Sequence, residues 1–369
     1  MTRLAYVVSS HGFGHAARAC AVIEALWNTN SGREVHVTIF GRTPEWFFHQ
    51  SLGPPGDPGS YEVVPADTDV GLVQTSALRE DASATARLLR ERPPVDRGCP
   101  ALTDAISASD SRCVACDISP WGITAAERLG LPSLLVENFT WDWIYAGYPQ
   151  LRDFVEPMHR AFSAATRHVQ TEPVCRTDPT ADCVTSVVSR TARTTRRDLR
   201  AALGVGDEEA LVMMTMGGIT WSYENLEGLS SEADRVWLIA GGTTEPTPER
   251  RGRHVLLPHR SPFFHPDLVG ATDLVVGKLG YSTVAEVATA GTRFAYVPRP
   301  LFPESERLEA WTRTHLTAQR IEPEDLESPS WLSVLTRHVD DLLRRPRRGG
   351  LSNGAPQVAE QILSMLRDQ

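Results

Sequence analysis

Val275-Val276-Gly277-Lys278-Leu279-Gly280-Tyr281-Ser282-Thr283-Val284-Ala285-Glu286 is the stretch whose reading decides the fold. A short β-branched run ends at a glycine, a second glycine turns the chain, and Ser282 and Thr283 open a helix. A strand that turns straight into a helix is half of a βαβ unit and implies a parallel sheet. The turn offers the unpaired N–H groups of the helix start, two hydroxyls and the positive end of the helix dipole to a phosphate. The spacing is not GxxxxGK[ST], which argues against nucleoside-triphosphate hydrolysis. Glu286 has two readings: the far half of a capping box begun by Thr283, or a carboxylate that accepts two vicinal ribose hydroxyls. Lys278 is either a charge beside the phosphates or a solvated loop residue.

The same grammar runs outward in both directions. Leu4–Ser9 reads as a strand, followed by a Gly/His loop and a helix over Ala16–Trp27. Further strands are expected at Val35–Phe40, Tyr61–Val64, Arg112–Cys116 and Ser133–Val136, with a helix at Ile123–Leu129. Residues 172–197, rich in Thr, Asp, Arg and Pro, read as an interdomain connection. A fresh α/β pattern follows, with strands at Ala210–Thr215, Val236–Ala240, His254–Leu257, Asp273–Val276 and Phe294–Val297. Helices are expected at Arg197–Leu203, Thr283–Ala290, near 304–318 and 330–344, and at about Pro356–Arg367. The length of 369 residues suits two such domains, at roughly 150 residues each. Two doubly wound halves should hold their ligands at the carboxyl ends of the strands, in the cleft between them.

Composition narrows the function classes. The 46 acidic against 37 basic residues give a net charge of −9, which lacks the global footprint of a nucleic-acid binder. Lys278 is the single lysine, so the basic residues are otherwise Arg, a bias that reflects genome composition. The N-terminus lacks the apolar core and cleavage site of a secretory signal, and no apolar run reaches the ~18–20 residues of a membrane span. The six cysteines lack a framework spacing. Cys113 and Cys116 form a CxxC inside an expected buried strand and read as structural thiols. The expectation is a cytoplasmic protein with no nucleic-acid or membrane partner.

Several loops carry the candidate chemistry. Ser9-Ser10-His11-Gly12-Phe13-Gly14-His15 has GxG but not GxGxxG, and Phe40-Gly41-Arg42 supplies no acidic residue for a dinucleotide ribose. His15, at the mouth of the helix, can take a proton from a hydroxyl, or else it shapes the loop. His11, Gly12 and Phe13 line the same turn. Met216-Gly217-Gly218 is a second place where backbone can approach a phosphate. Asp117, in Asp117-Ile118-Ser119-Pro120-Trp121, can orient His15, bind an acceptor hydroxyl or cap the following helix. Asn138 and Trp141 belong to an aromatic, polar loop that suits a sugar ring or the core. Arg79 reaches an anionic acceptor or decorates a helix. Arg299 and Glu304 leave a strand on a proline-rigid loop. Asp67-Thr68-Asp69 looks like a metal-binding DxD but lies in an early loop, and no metal is expected.

These stretches together resemble the GT-B nucleotide-sugar glycosyltransferases. They are most similar to the glycosyltransferase-like N-terminal half of plant L-arabinokinases. The resemblance rests on HGFGHAAR (11–18), DVGLVQTSALRED (69–81), DISPWGITAAERLGLPSLLVENFTWDWIYAGY (117–148), MGG (216–218) and VGKLGYSTVAEVATAGTRFAYVPRPLFPE (276–304). The second-domain loop is also similar to that of the bacterial enzyme that adds N-acetylglucosamine to lipid I. The resemblance implies two Rossmann-like domains facing a central cleft. Residues 1–190 form an acceptor domain, joined by the C-terminal helix 352–369, and 191–351 form a donor domain. By the same resemblance Glu286 holds the donor ribose, while Ser282, Thr283, Gly217 and Gly218 surround the diphosphate; Lys278 and Gly280, in the same loop, are further donor-side candidates. The backbone at Leu257 and His259 receives the nucleobase, and Arg299 and Glu304 contact the donor sugar. His15, aided by Asp117, is the general base. His11, Gly12, Phe13, Arg79, Ser119, Trp121, Asn138 and Trp141 are acceptor-side candidates.

The expected activity is sugar transfer from a nucleoside-diphosphate sugar, UDP first, to a small-molecule acceptor. The resemblance implies inversion and no metal or other cofactor. The arginine-heavy composition suggests an actinobacterial-type specialised-metabolite pathway. The kinase domain of L-arabinokinases, with its own phosphate loop, has no counterpart here, so sugar phosphorylation is not expected. A nucleotide-sugar epimerase and a non-catalytic sugar-nucleotide binder are the alternatives.

Overall fold

The computed structural model describes residues 2–55, 59–76, 79–92, 99–216, 235–327 and 331–368. In chain order the strands are β1 (Thr2–Val8), β2 (Val35–Gly41), β3 (Ser60–Pro65), β4 (Gln74–Ser76), β5 (Arg79–Glu80), β6 (Cys113–Asp117), β7 (Ser133–Glu137), β8 (Arg167–Thr171) and β9 (Cys183–Thr185). They continue with β10 (Ala210–Thr215), β11 (Arg235–Thr243), β12 (Glu249–Arg251), β13 (His254–Pro258), β14 (Leu274–Lys278), β15 (Arg293–Val297) and β16 (Ala318–Arg320). The helices are α1 (Gly14–Trp27), α2 (Glu45–Leu52), α3 (Ala82–Glu91), α4 (Pro100–Ala108), α5 (Pro120–Leu129), α6 (Trp141–Ala146) and α7 (Val155–Ser163). After them come α8 (Arg196–Ala202), α9 (His265–Ala271), α10 (Tyr281–Ala290), α11 (Glu304–His315), α12 (Pro323–Glu327), α13 (Trp331–Arg344) and α14 (Ala355–Arg367). The chain divides into two compact units. Residues 1–75, 80–190 and 353–369 form the first, and 76–79 with 191–352 form the second.

The first unit is built on a sheet of order β3-β2-β1-β6-β7-β8-β9, parallel throughout. Leu4, Ala5, Tyr6, Val7 and Val8 of β1 are all fully buried, the unbroken burial required of a strand covered on both faces. Leu4, Tyr6 and Val8 share a core with Ala19, Val22, Ile23 and Leu26 of α1 and with Val358, Ile362 and Leu366 of α14. Helix α14 packs along α1, so the last residues of the chain back the helix that follows β1. The Thr- and Arg-rich stretch does not begin as a connector: residues 172–190 stay with this unit and add β9 at the sheet edge. Counting outward from β1, the strand order reverses between β1 and β6. Open α/β sheets place ligands at the carboxyl ends of two such strands.

The second unit has the order β12-β13-β11-β10-β14-β15-β16, with β12 antiparallel and its other neighbours parallel. Val212, Met214, Ile239, Val276 and Ala295 pack against Leu335, Val339 and Leu342 of α13. Here the order reverses between β10 and β14. Gly277 sits opposite Thr215 across those two strands, and a Cβ added there would lie 2.4 Å from the Thr215 carbonyl oxygen. The backbone can relieve that clash only by moving two core strands apart. Gly277→Ala is therefore expected to destabilise the fold by about 1–3 kcal/mol, read as a lowered urea midpoint at unchanged slope.

Candidate functional site

In the first unit the loop Ser9–Phe13 carries the chain from β1 into α1, and Gly12 takes φ 76°, which a side chain rarely tolerates. His15 and Arg18 follow three residues apart on one face of α1. Asp117 ends β6, the strand beside β1. The three meet in the interior: His15 Nδ1 lies 2.8 Å from Asp117 Oδ1, and Arg18 donates from Nε to Oδ2 and from Nη2 to Oδ1, each at 2.7 Å. Arg18 Nη1 also donates to Asn138 Oδ1 at 2.8 Å and to the Thr171 hydroxyl at 3.3 Å. Asp117, Asn138 and Thr171 are fully buried and Arg18 nearly so, which rules out solvent screening of this network. Burial pushes the Asp117 carboxyl up, but the Arg18 guanidinium and the hydrogen bonds from Arg18 and His15 override it and hold it below the usual carboxylate range. An ionised carboxylate only accepts, so Nδ1 of His15 carries a hydrogen, and in the neutral ring the lone pair is on Nε2. A buried carboxylate that fixes the histidine tautomer leaves the other ring nitrogen able to take up a proton.

The remaining first-unit candidates fall into two groups. His11 meets the edge of Trp141 at 5.3 Å, and the Phe13 ring lies 4.8 Å from Phe47 of α2, so both line the loop next to His15. Others have structural duties. Ser119, not Asp117, caps α5: its hydroxyl accepts from the Gly122 N–H at 3.0 Å and donates to the Thr68 carbonyl at 2.7 Å. Trp121 and Trp141 are core residues, at 2% and 0% exposure, and neither turns a ring face to solvent for stacking. Trp141 Nε1 donates to Asp69 Oδ2 at 3.0 Å, while Asp67 pairs with Arg42 and Arg92, so the two carboxylates of the DxD part company. Burial raises the Asp69 carboxyl above its ordinary value despite hydrogen bonds from Ser9 and Trp141. Arg79 is exposed in the two-residue β5, not on a helix. Ile118, fully buried, adopts φ 45°, a left-handed conformation costly for a β-branched residue, between Asp117 and the Ser119 cap.

In the second unit β14 ends at Lys278, Gly280 is the N-cap of α10, and Ser282 and Thr283 occupy the helix's first turn. The backbone N–H groups of that turn have no intrahelical partner and point along the positive dipole end. With the cap at Gly280, Thr283 and Glu286 do not form a capping box, so that reading is corrected. Glu286 is instead a buried carboxylate in the second turn, 2.7 Å from Nδ1 of His265 at the start of α9. Arg299 Nη2 donates to Glu304 Oε2 at 3.0 Å, both side chains are buried, and the guanidinium lies 3.5 Å from the centre of the Phe302 ring. The Leu257 side chain belongs to the core, and His259 is exposed just after β13. Gly217 and Gly218 lie outside the described residues. Among the described residues no three His, Cys, Asp or Glu side chains are grouped to hold a metal ion, and no helix is long and apolar enough to cross a membrane.

No protein-family model matches the chain. It is 27% identical over 367 residues to an L-arabinokinase of Arabidopsis thaliana, a match that covers 97% of this chain and 34% of that protein. The chain thus spans about a third of the length of the curated relative it matches. Among solved structures it is similar to MurG of Acinetobacter baumannii, with a TM-score of 0.57 at 16% identity, covering 99% of this chain and 100% of that one. It is also similar to a UDP-glucosyltransferase from Polygonum tinctorium, with a TM-score of 0.61 at 13% identity, covering 100% and 99%. The fold is GT-B.

Within this GT-B fold the sequence reading missed three partners. Arg18 sits in a quoted motif but carried no assigned role, although it is the one charged residue in the run Ala16–Ile23. His265 lies 21 residues from Glu286, with no local pattern to connect them. Asp69 is visible in the sequence only as half of a DxD, and nothing in the spacing foretells its bond to Trp141.

Proposed function

We propose that the chain transfers a glycosyl group from a nucleoside-diphosphate sugar, UDP-sugar first, to a hydroxyl or amine of a small molecule, with inversion and without a metal. The observation that carries this reading is the His15–Asp117 pair at the strand-order reversal of the first unit. It has a counterpart at the equivalent reversal of the second unit, where Ser282, Thr283 and Glu286 gather. His15 Nε2 takes the acceptor proton while the acceptor oxygen or nitrogen forms its bond to the anomeric carbon. The bond from that carbon to the diphosphate oxygen breaks, and the nucleoside diphosphate leaves with the electron pair. The first-turn N–H groups of α10 stabilise that charge, the role of a preorganised anion site. Glu286 accepts the ribose hydroxyls, and Arg299 with Glu304 faces the donor sugar. The likeness to L-arabinokinase and to UDP-sugar transferases supports the nucleotide-sugar donor.

Thermal shift against UDP, dTDP, GDP and ADP tests the donor side first. A clear preference for UDP is expected. Glu286→Ala should then weaken UDP binding about tenfold by titration calorimetry, equivalent to about 1.4 kcal/mol. Unchanged affinity in that variant would remove Glu286 from the donor site.

A further inference from the structure

The histidine–carboxylate pair does not stand alone. Arg18 grips both oxygens of Asp117 and extends to the ends of β7 and β8 through Asn138 and Thr171. Its Nη2 also lies 3.5 Å from His15 Nδ1. We propose that Arg18 is a positioning residue: its two-pronged grip fixes the Asp117 carboxylate against His15 Nδ1 and offsets its charge, so that His15 meets the acceptor as a neutral imidazole. This rests on the reading of His15 as the base.

The argument is electrostatic and geometric. A buried carboxylate next to an imidazole favours the imidazolium, which cannot accept a proton. A guanidinium in the same pocket opposes that second positive charge and satisfies the carboxylate's remaining lone pairs. Only the planar fork of arginine does both at once, since lysine supplies a point charge without a second parallel bond. The other titratable groups nearby are His11 of the preceding loop, against Trp141, Asp69, which interacts with His15, and Tyr6, Cys20 and Cys116. Burial pushes the Tyr6 phenol and the Cys116 thiol up, so both stay neutral near neutral pH. The neutral neighbours Phe139, Asn138 and Thr171 close the pocket. Arg18 is thus the cation set against Asp117 here, and its removal leaves a net negative pocket around His15.

The test is the titration of the His15 ring followed by its nitrogen chemical shifts, in the full chain. Arg18→Met should raise the His15 midpoint by about one to two pH units relative to the parent, as expected when a neighbouring positive charge is lost. Arg18→Lys, which keeps the charge, should move it by much less while still slowing transfer. The acidic limb of kcat/KM should shift to higher pH in step with the midpoint, with UDP affinity unchanged. Arg18→Met is also added to Asp117→Asn, a background with no buried carboxylate to strand, where the same upward shift is expected. An unmoved midpoint in either folded background would overturn the proposal and leave Arg18 a packing residue. The nitrogen shifts need no turnover. A chain that shows the shift but transfers no sugar would keep the inference about Arg18 and sink the proposed activity.

Discussion

His15→Ala is expected to lower turnover on the order of a thousandfold and to leave UDP affinity as it was. The magnitude is that of a lost general base. The two readouts separate because His15 belongs to the first unit, whereas Glu286 and the α10 turn are held by the sheet of the second. A conservative companion, His15→Gln, keeps an N–H donor for Asp117 but supplies no basic nitrogen. It should be as inactive as the alanine variant and closer to the parent in stability. Single-turnover assays with saturating donor, alongside calorimetry with UDP, decide the matter. Equal losses of binding and turnover would place His15 in donor binding instead of proton transfer.

Asp117→Ala has the largest expected effect on stability, about 3–5 kcal/mol at neutral pH, because it strands the Arg18 guanidinium in the interior. Asp117→Asn should cost less, since the amide oxygen still accepts one Arg18 bond. The sign with pH follows from the direction of the shift: the folded state holds the Asp117 carboxyl below its ordinary value. The stabilisation is therefore present at neutral pH and is lost as the pH falls through that depressed value. The deficit of the alanine variant should shrink in acid, measured as the gap between urea midpoints at neutral and acidic pH. A gap that does not change would mean that the pair contributes packing and no charge.

The fold was legible because parallel strands covered on both faces write themselves as apolar runs. β1, β2, β6, β7, β10 and β14 are such runs, and the expected boundaries lie within about two residues of the observed ones. β8 left no such trace. Its Gln170 is buried and donates to Glu137 at 2.6 Å, and His168 lies 2.8 Å from the same carboxylate, so polar groups that satisfy one another erase the hydrophobic pattern. The candidate site was legible where chemistry sits in a turn, as with His15 and Ser282. It was opaque where partners come from separate elements with no motif to link them, as with Arg18 of α1 and Asp117 of β6, 99 residues apart. The capping reading of Glu286 failed by register: a glycine two residues before Ser282 began the helix early, and the carboxylate moved from the helix end into the interior.

The position of α14 bears on how the chain is made. The second unit is continuous from 191 to 352 apart from residues 76–79, so all of its chain has been made once residue 352 is added. The first unit cannot finish then. Val358, Ile362 and Leu366 are missing from its core until residues 353–369 emerge, and until then the back of α1 stays open to water. The unit synthesised first is completed by the later segment, and the helix that carries His15 is the one that segment supports.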